Sequence, residues 1–170
     1  MTMAAVHDHA DIWAALADLS DPEIPVVNLS ELGILREVRQ GCDGTPEVVI
    51  TPTYSGCPAM GQIEDDVRAA LVKAGISARV VTQLAPAWTT DWMSEVAREK
   101  LRAYGIAPPQ CGSSTNVLKF SRQALQRVDV PCPQCGSTHT TETSPFGSTA
   151  CKSMYRCLDC LEPFDYFKPY

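Results

Sequence analysis

Two Cys-x-x-Cys pairs close the chain, Cys132-Pro-Gln-Cys135 and Cys157-Leu-Asp-Cys160, with twenty-one residues between them. Nothing else in the sequence narrows the fold as far. Four thiolates on two tight turns can surround one ion tetrahedrally, and Zn²⁺ is the ion that most favours such a set, with iron as its competitor. The gap lies at the upper edge of the roughly 15–20-residue spacing of structural zinc sites. A closed four-sulfur site keeps no open position, so the ion is expected to be structural. The surrounding segment has too few apolar residues to fold alone, so metal binding becomes part of its folding free energy.

Gly136 follows the first pair and predicts a left-handed turn that lets backbone N–H groups reach sulfur. Lys152 and Arg156 are placed to offset the surplus negative charge of four thiolates. Cys151, six residues before Cys157, is a fifth sulfur. It reads as a buried core thiol, a substitute ligand if one pair is split, or a redox contact. The end of the chain, Phe164-Asp165-Tyr166-Phe167, alternates like a strand with an aromatic face. Residues 131–170 are therefore expected to form a β-rich zinc ribbon.

The remaining residues carry a separate core. Apolar residues make up 45% of the 170-residue chain, enough for packing, and moderate charge argues against overall disorder. Residues 1–110 hold 8 Lys+Arg and 15 Asp+Glu, whereas residues 111–170 hold 6 and 5. The acidic first part would be repelled by phosphate backbones, and the near-neutral remainder attracts them little, so nucleic acid is not an expected partner. No run of eighteen apolar residues exists, so no membrane span is expected. The start of the chain has neither a basic nor an apolar stretch and does not read as a signal peptide. Eight cysteines in that setting point to reduced thiols and metal binding in the cytoplasm.

The pattern of elements predicts an α+β protein, a small mixed sheet with packed helices ahead of the ribbon. Ile12, Trp13, Leu16 and Leu19 recur at helical spacing, and the prolines of Asp21-Pro22-Glu23-Ile24-Pro25 end that helix. Leu32–Arg39 and Glu47–Thr51 flank a Gly-Cys-Asp-Gly-Thr turn and predict a hairpin. A strong amphipathic helix follows from Pro58, with Ile63, Val67 and Leu71 on one face and Asp65 and Asp66 on the wet one. Ser77–Leu84 reads as a strand, and Met93, Ala97, Leu101 and Tyr104 as a helix from about Thr90, stopped by Gly105. Trp88 and Trp92 flank its start and read first as packing residues. Pro108–Asn116 has linker composition, and Val117–Val130 is ambiguous. The expected organisation is a first domain over 1–107, a connecting segment over 108–130 and the ribbon over 131–170.

Ser55-Gly56-Cys57-Pro58 opens the strongest helix. Proline at the first helical position would place Cys57 at the N-cap, where unpaired N–H groups and the helix dipole favour thiolate. The other reading is a buried cysteine filling a strand–helix corner. A hydrolytic role is disfavoured, since His7 and His9 lie near the terminus and His139 lies inside the metal module. Asp21 and Glu23 sit in a proline-bounded turn, either as helix terminators or as carboxylate partners of Cys57. Cys42 and Cys111 belong to no motif.

Asp21-Pro-Glu-Ile-Pro25, Thr51-Pro-Thr-Tyr-Ser-Gly-Cys-Pro58 and the helix after them resemble the SufT-like iron–sulfur assembly family over about residues 10–105. In that family the helix-start cysteine is tied to function, which the resemblance carries onto Cys57 as a transient iron or cluster contact. Trp88-Thr-Thr-Asp-Trp92, Lys100–Pro109, Cys132-Pro-Gln-Cys135-Gly136, Phe146–Lys152 and Tyr155-Arg-Cys157 resemble the PaaD family of phenylacetyl-CoA oxygenase (epoxidase) components over nearly the whole chain. The resemblance implies an accessory, non-catalytic part in aerobic phenylacetate degradation, helping to mature a metal centre, with the reductase or oxygenase subunits as partners. A structural adaptor is the alternative it leaves open. The sequence itself has no Glu-x-x-His pair, glycine-rich dinucleotide fingerprint or ferredoxin cysteine pattern.

Overall fold

The computed structural model describes residues 9–110 and 129–170. The expected sites His7 and Cys111, and most of the ambiguous stretch, lie outside those residues. The chain divides into two compact units, Met1–Trp88 and Thr89–Tyr170.

In the first unit, α1 (His9–Leu16) buries Ile12 and Leu16. β1 (Leu35–Gln40) and β2 (Pro46–Ile50) form the expected hairpin, antiparallel with Val38 opposite Val48. Its turn closes with the Gly41 N–H on the Thr45 carbonyl at 2.8 Å, and Gly44 takes a φ of 82° that few other residues tolerate. α2 (Met60–Lys73) then crosses over to β3 (Arg79–Thr82), which pairs parallel to β2 with Val48 opposite Val80. A parallel neighbour needs such a crossover, because no tight turn can reverse the chain twice. The sheet is therefore mixed, in the order β1-β2-β3. Val48, Val49 and Ile50 of its central strand bury with Ile63, Val67 and Leu71 of α2. Trp88 ends the unit, buried, with its indole Nε1 donating to the Leu32 carbonyl at 3.0 Å.

The second unit starts with a 3-10 turn over Thr90–Trp92 and then α3 (Glu95–Tyr104). The single expected helix splits because the Ser94 hydroxyl accepts the Ala97 N–H at 3.1 Å and caps a fresh start. Gly105, at φ 93°, closes the helix as expected. The chain then enters β4 (Ile106–Ala107), which pairs parallel to β7 (Pro163–Phe167). With β5 (Thr140–Ser144) and β6 (Lys152–Cys157) these make one sheet in the order β4-β7-β6-β5. Sequence composition places residues 89–107 in the first domain. In the structure their hydrogen bonds run to the ribbon, through β4 and through the Thr90 N–H on the Tyr170 carbonyl at 3.2 Å. Among the described residues, Ala107, Val130, Cys132, Cys157, Phe164 and Tyr166 form the core cluster of the ribbon. Tyr155 adds aromatic contacts, stacked on Phe164 at 5.8 Å and edge-on to Tyr166 at 5.4 Å.

Candidate metal centre and the Cys57 loop

The two knuckles are built alike. In each, the N–H of the first cysteine donates to the carbonyl five residues on: Cys132 to Ser137 at 2.8 Å and Cys157 to Glu162 at 3.0 Å. In each, the residue after the second cysteine has positive φ, 76° at Gly136 and 66° at Leu161. That turn aims the next N–H back at sulfur, Ser137 toward Cys135 and Glu162 toward Cys160. Glycine is legible in the sequence at the first position. Leucine at the second is not, since a left-handed residue with a Cβ costs about 1–2 kcal/mol.

The sulfurs meet across the knuckles, Cys132 with Cys160 at 3.7 Å and Cys135 with Cys157 at 3.6 Å. All four lie within 4.8 Å of one another. A disulfide would need about 2.05 Å. A tetrahedral zinc ion with sulfurs at ~2.3 Å needs S···S edges of about 3.8 Å, close to the two cross-knuckle distances, so the set suits zinc.

The protonation pattern fits a cation too. Cys157 accepts N–H bonds from Cys160 and Asp159, which outweigh burial and pull its thiol down to about 6. Cys160 accepts from the Glu162 N–H, but burial and the three neighbouring sulfurs prevail and push it up to about 12. Cys135 is raised as well; the Ser137 N–H opposes that shift, and burial with the sulfurs of Cys157 and Cys132 drives it. The Cys157 thiolate forms readily, and Cys135 and Cys160 then resist, a like-charge cost that a divalent cation removes.

Cys151 is not in the cluster. It precedes β6, six residues or about 20 Å of extended strand from Cys157. It is buried, with its sulfur 2.9 Å from the Thr149 hydroxyl, so its place corrects the reading as an added ligand and agrees with a core thiol. Lys152 also departs from expectation. Buried at the same end of β6, it pairs with Asp165 at 3.6 Å rather than with the sulfurs. Arg156 does reach the second knuckle, donating to the Leu161 carbonyl at 3.4 Å.

In the first unit, Cys57 sits half-buried at the end of a loop whose Thr51, Pro52 and Thr53 are buried. It is not the N-cap. The Met60 N–H bonds to the Cys57 carbonyl at 3.3 Å in a tight three-residue turn, and the Ile63 N–H bonds to Ala59, the actual cap residue, at 2.9 Å. Pro58 is spent in that extra turn, so α2 starts later than the proline suggests. Asp21 is buried, and its Oδ1 accepts the N–H groups of Glu23 and Ile24, each at 2.8 Å. It holds the proline-bounded turn in shape, while Glu23 is half-buried beside it.

Two features escape sequence reasoning. Arg98, on the helix α3, is 6% exposed and bridges two carbonyls of the second unit. Ser137, Asp159 and His139 form a hydrogen-bonded set between the knuckles. Only proximity in space joins them, so spacing gives no signal.

Two family models match the chain. One, described as an iron–sulfur cluster assembly protein, matches residues 9–82, and the other, described as the PaaD zinc beta ribbon domain, matches residues 119–168. The chain is 39% identical over 93 residues to an Fe-S protein maturation auxiliary factor of Porphyromonas gingivalis (strain ATCC BAA-308 / W83), covering 54% of this chain and 88% of that protein. A solved structure of a domain of unknown function, DUF59, from Bacillus anthracis covers 55% of this chain and 90% of its own at 29% identity, with a TM-score of 0.48. An Escherichia coli (strain K12) protein provisionally named as a subunit of 1,2-phenylacetyl-CoA epoxidase is 50% identical over 159 residues, covering 93% of this chain and 91% of that protein. Sharing half its residues with that protein over nearly its whole length, and carrying the matching ribbon, the chain belongs to the PaaD family of 1,2-phenylacetyl-CoA epoxidase components.

Proposed function

We propose that this chain is an accessory protein that helps assemble or mature the iron–sulfur or other metal centre of phenylacetyl-CoA epoxidase in aerobic phenylacetate degradation, and does not itself catalyse epoxidation. One observation carries the reading: an iron–sulfur assembly domain over 9–82 and a PaaD zinc ribbon over 119–168 share one chain. In this reading Cys57 is the transient iron or cluster contact, with Asp21 and Glu23 supporting its loop. Zinc stays with Cys132, Cys135, Cys157 and Cys160, and the ribbon docks on a reductase or oxygenase subunit. The exposed leucines Leu158 and Leu161, on either side of Cys160, support that docking role. No disulfide joins cysteines among the described residues, which suits the reducing cytoplasm in which we place the protein.

The same exposed leucines favour a second reading, a structural adaptor in which Cys57 is inert. Reconstitution of the epoxidase system with Cys57→Ser separates the two. The assembly reading expects iron content and epoxidase activity to fall together while zinc content is kept. Unchanged iron and activity would leave the adaptor.

A further inference from the structure

The side chains of Ser137, Asp159 and His139 span the two knuckles at the metal centre. Ser137 Oγ donates to Asp159 Oδ2 at 2.5 Å, and His139 Nδ1 lies 3.0 Å from Asp159 Oδ1. The His139 N–H donates to Ser137 Oγ at 3.0 Å. The backbone repeats the link, with the Leu158 N–H on the His139 carbonyl at 2.8 Å. Asp159 lies between Cys157 and Cys160, and its own N–H donates to the Cys157 sulfur. Ser137 follows Cys135 by two residues, and its N–H points at that sulfur.

This is not a nucleophilic triad. The serine hydroxyl donates to the carboxylate, and the imidazole meets the carboxylate through Nδ1, so the arrangement holds no base on Oγ. Its geometry suits a different task. The first knuckle hangs from the strand-free stretch after Val130, and the second from the end of β6. The sheet holds the second more closely, since Cys157 itself ends β6, whereas β5 begins only at Thr140, five residues after Cys135. A carboxylate that grips the residues after the first knuckle by two side chains adds a restraint to that looser side.

We propose that Asp159 is a positioning residue for the zinc site, a clasp that holds the Cys132–Cys135 knuckle against the Cys157–Cys160 knuckle before metal arrives. Zinc then binds a site already formed and does not have to order two separate turns. Groups that orient metal ligands from outside typically contribute 10–100-fold in affinity. Preorganisation acts by removing the ordering cost of binding. The clasp needs hydrogen-bond acceptors at Asp159, not its charge. It needs no part of Cys57 and no iron, so it stands or falls separately from the assembly role.

The test is zinc affinity of the full chain, measured by competition with a chromophoric chelator and zinc alone as the metal. Asp159→Ala should weaken affinity about tenfold, whereas Asp159→Asn, which keeps one of the two acceptor oxygens, should recover part of it. Ser137→Ala and His139→Ala should each weaken it less, and either should add little on top of Asp159→Ala. Wild-type affinity in Asp159→Ala overturns the proposal, as does an Asn variant no better than the Ala variant. Should Asp159→Ala fail to fold even with zinc, the serine and histidine variants decide: affinities equal to wild type in both overturn it.

Discussion

The Arg98 guanidinium donates from Nη1 to the Pro109 carbonyl at 2.6 Å, and from Nη2 to the Thr90 carbonyl at 2.7 Å. One buried side chain on α3 thus ties together the turn before the helix and the segment after β4. Removing it leaves two carbonyls without their donor, each costing about 1–3 kcal/mol. Arg98→Ala should lower the unfolding free energy of the second unit by about 2–4 kcal/mol, read by denaturant titration. Arg98→Lys should recover little, because a single ammonium cannot reproduce a planar fork.

Zinc removal should destabilise the ribbon selectively. Among the described residues its core cluster includes Cys132 and Cys157, two of the proposed zinc ligands, so chelation should loosen part of the core along with the ion. Structural zinc typically contributes about 10–16 kcal/mol of apparent binding energy near pH 7. Chelator addition should lower the hydrogen-exchange protection of β5–β7 amides while that of β1–β3 is unchanged. Metal analysis should find zinc lost in Cys157→Ser and kept in Cys151→Ser.

Asp21 offers a way to divide structure from function. Its Oδ1 caps two backbone N–H groups, so Asp21→Ala should cost about 1–2 kcal/mol of stability. Asp21→Asn keeps an acceptor and should fold nearly as well as wild type. If the Asn variant is as stable as wild type yet fails to support iron loading, the carboxylate acts at the Cys57 loop. Full iron loading by Asp21→Asn would confine Asp21 to the turn.

Thiol labelling should separate an activated cysteine from an accessible one. Cys42 is exposed, Cys57 half-buried and Cys151 buried. Access alone ranks their rates in that order. A Cys57 rate equal to or above that of Cys42 near pH 7 would mark a thiolate-favouring environment. A rate between those of Cys42 and Cys151 would mark an ordinary thiol.

Glu64 on α2 accepts from the Thr82 hydroxyl of β3 at 2.6 Å and pairs with Arg68 at 3.0 Å. The Thr82 bond, with help from Arg68, holds its carboxyl below the ordinary carboxylate value. A folded-state value below the unfolded one means stability present above about pH 4.5 and lost as pH falls through the folded value. Urea unfolding between pH 6 and pH 3 should show a steeper loss in wild type than in Glu64→Gln. Parallel curves would mean that the bond contributes no pH dependence.

What the sequence determined by itself was whatever depends on neighbours along the chain. The Asp-Gly turn, the stripe of Ile63, Val67 and Leu71, the closing glycine of α3 and the two cysteine knuckles all follow from local spacing and local dihedral limits. The structure alone decided what depends on distant groups. A capping serine split one expected helix into two elements, and parallel pairing with β7 drew α3 and β4 into the unit of the ribbon. The length of β6 carried Cys151 away from the sulfurs to which its spacing had tied it. An extra turn set Cys57 outside the cap of α2. Arg98 and Asp159 acquire their roles only when carbonyls and side chains 8–22 residues away fold back onto them, and no periodicity records such a meeting. The knuckles themselves were legible, but the clasp between them was not, because it joins side chains that meet only once the two turns have been brought together.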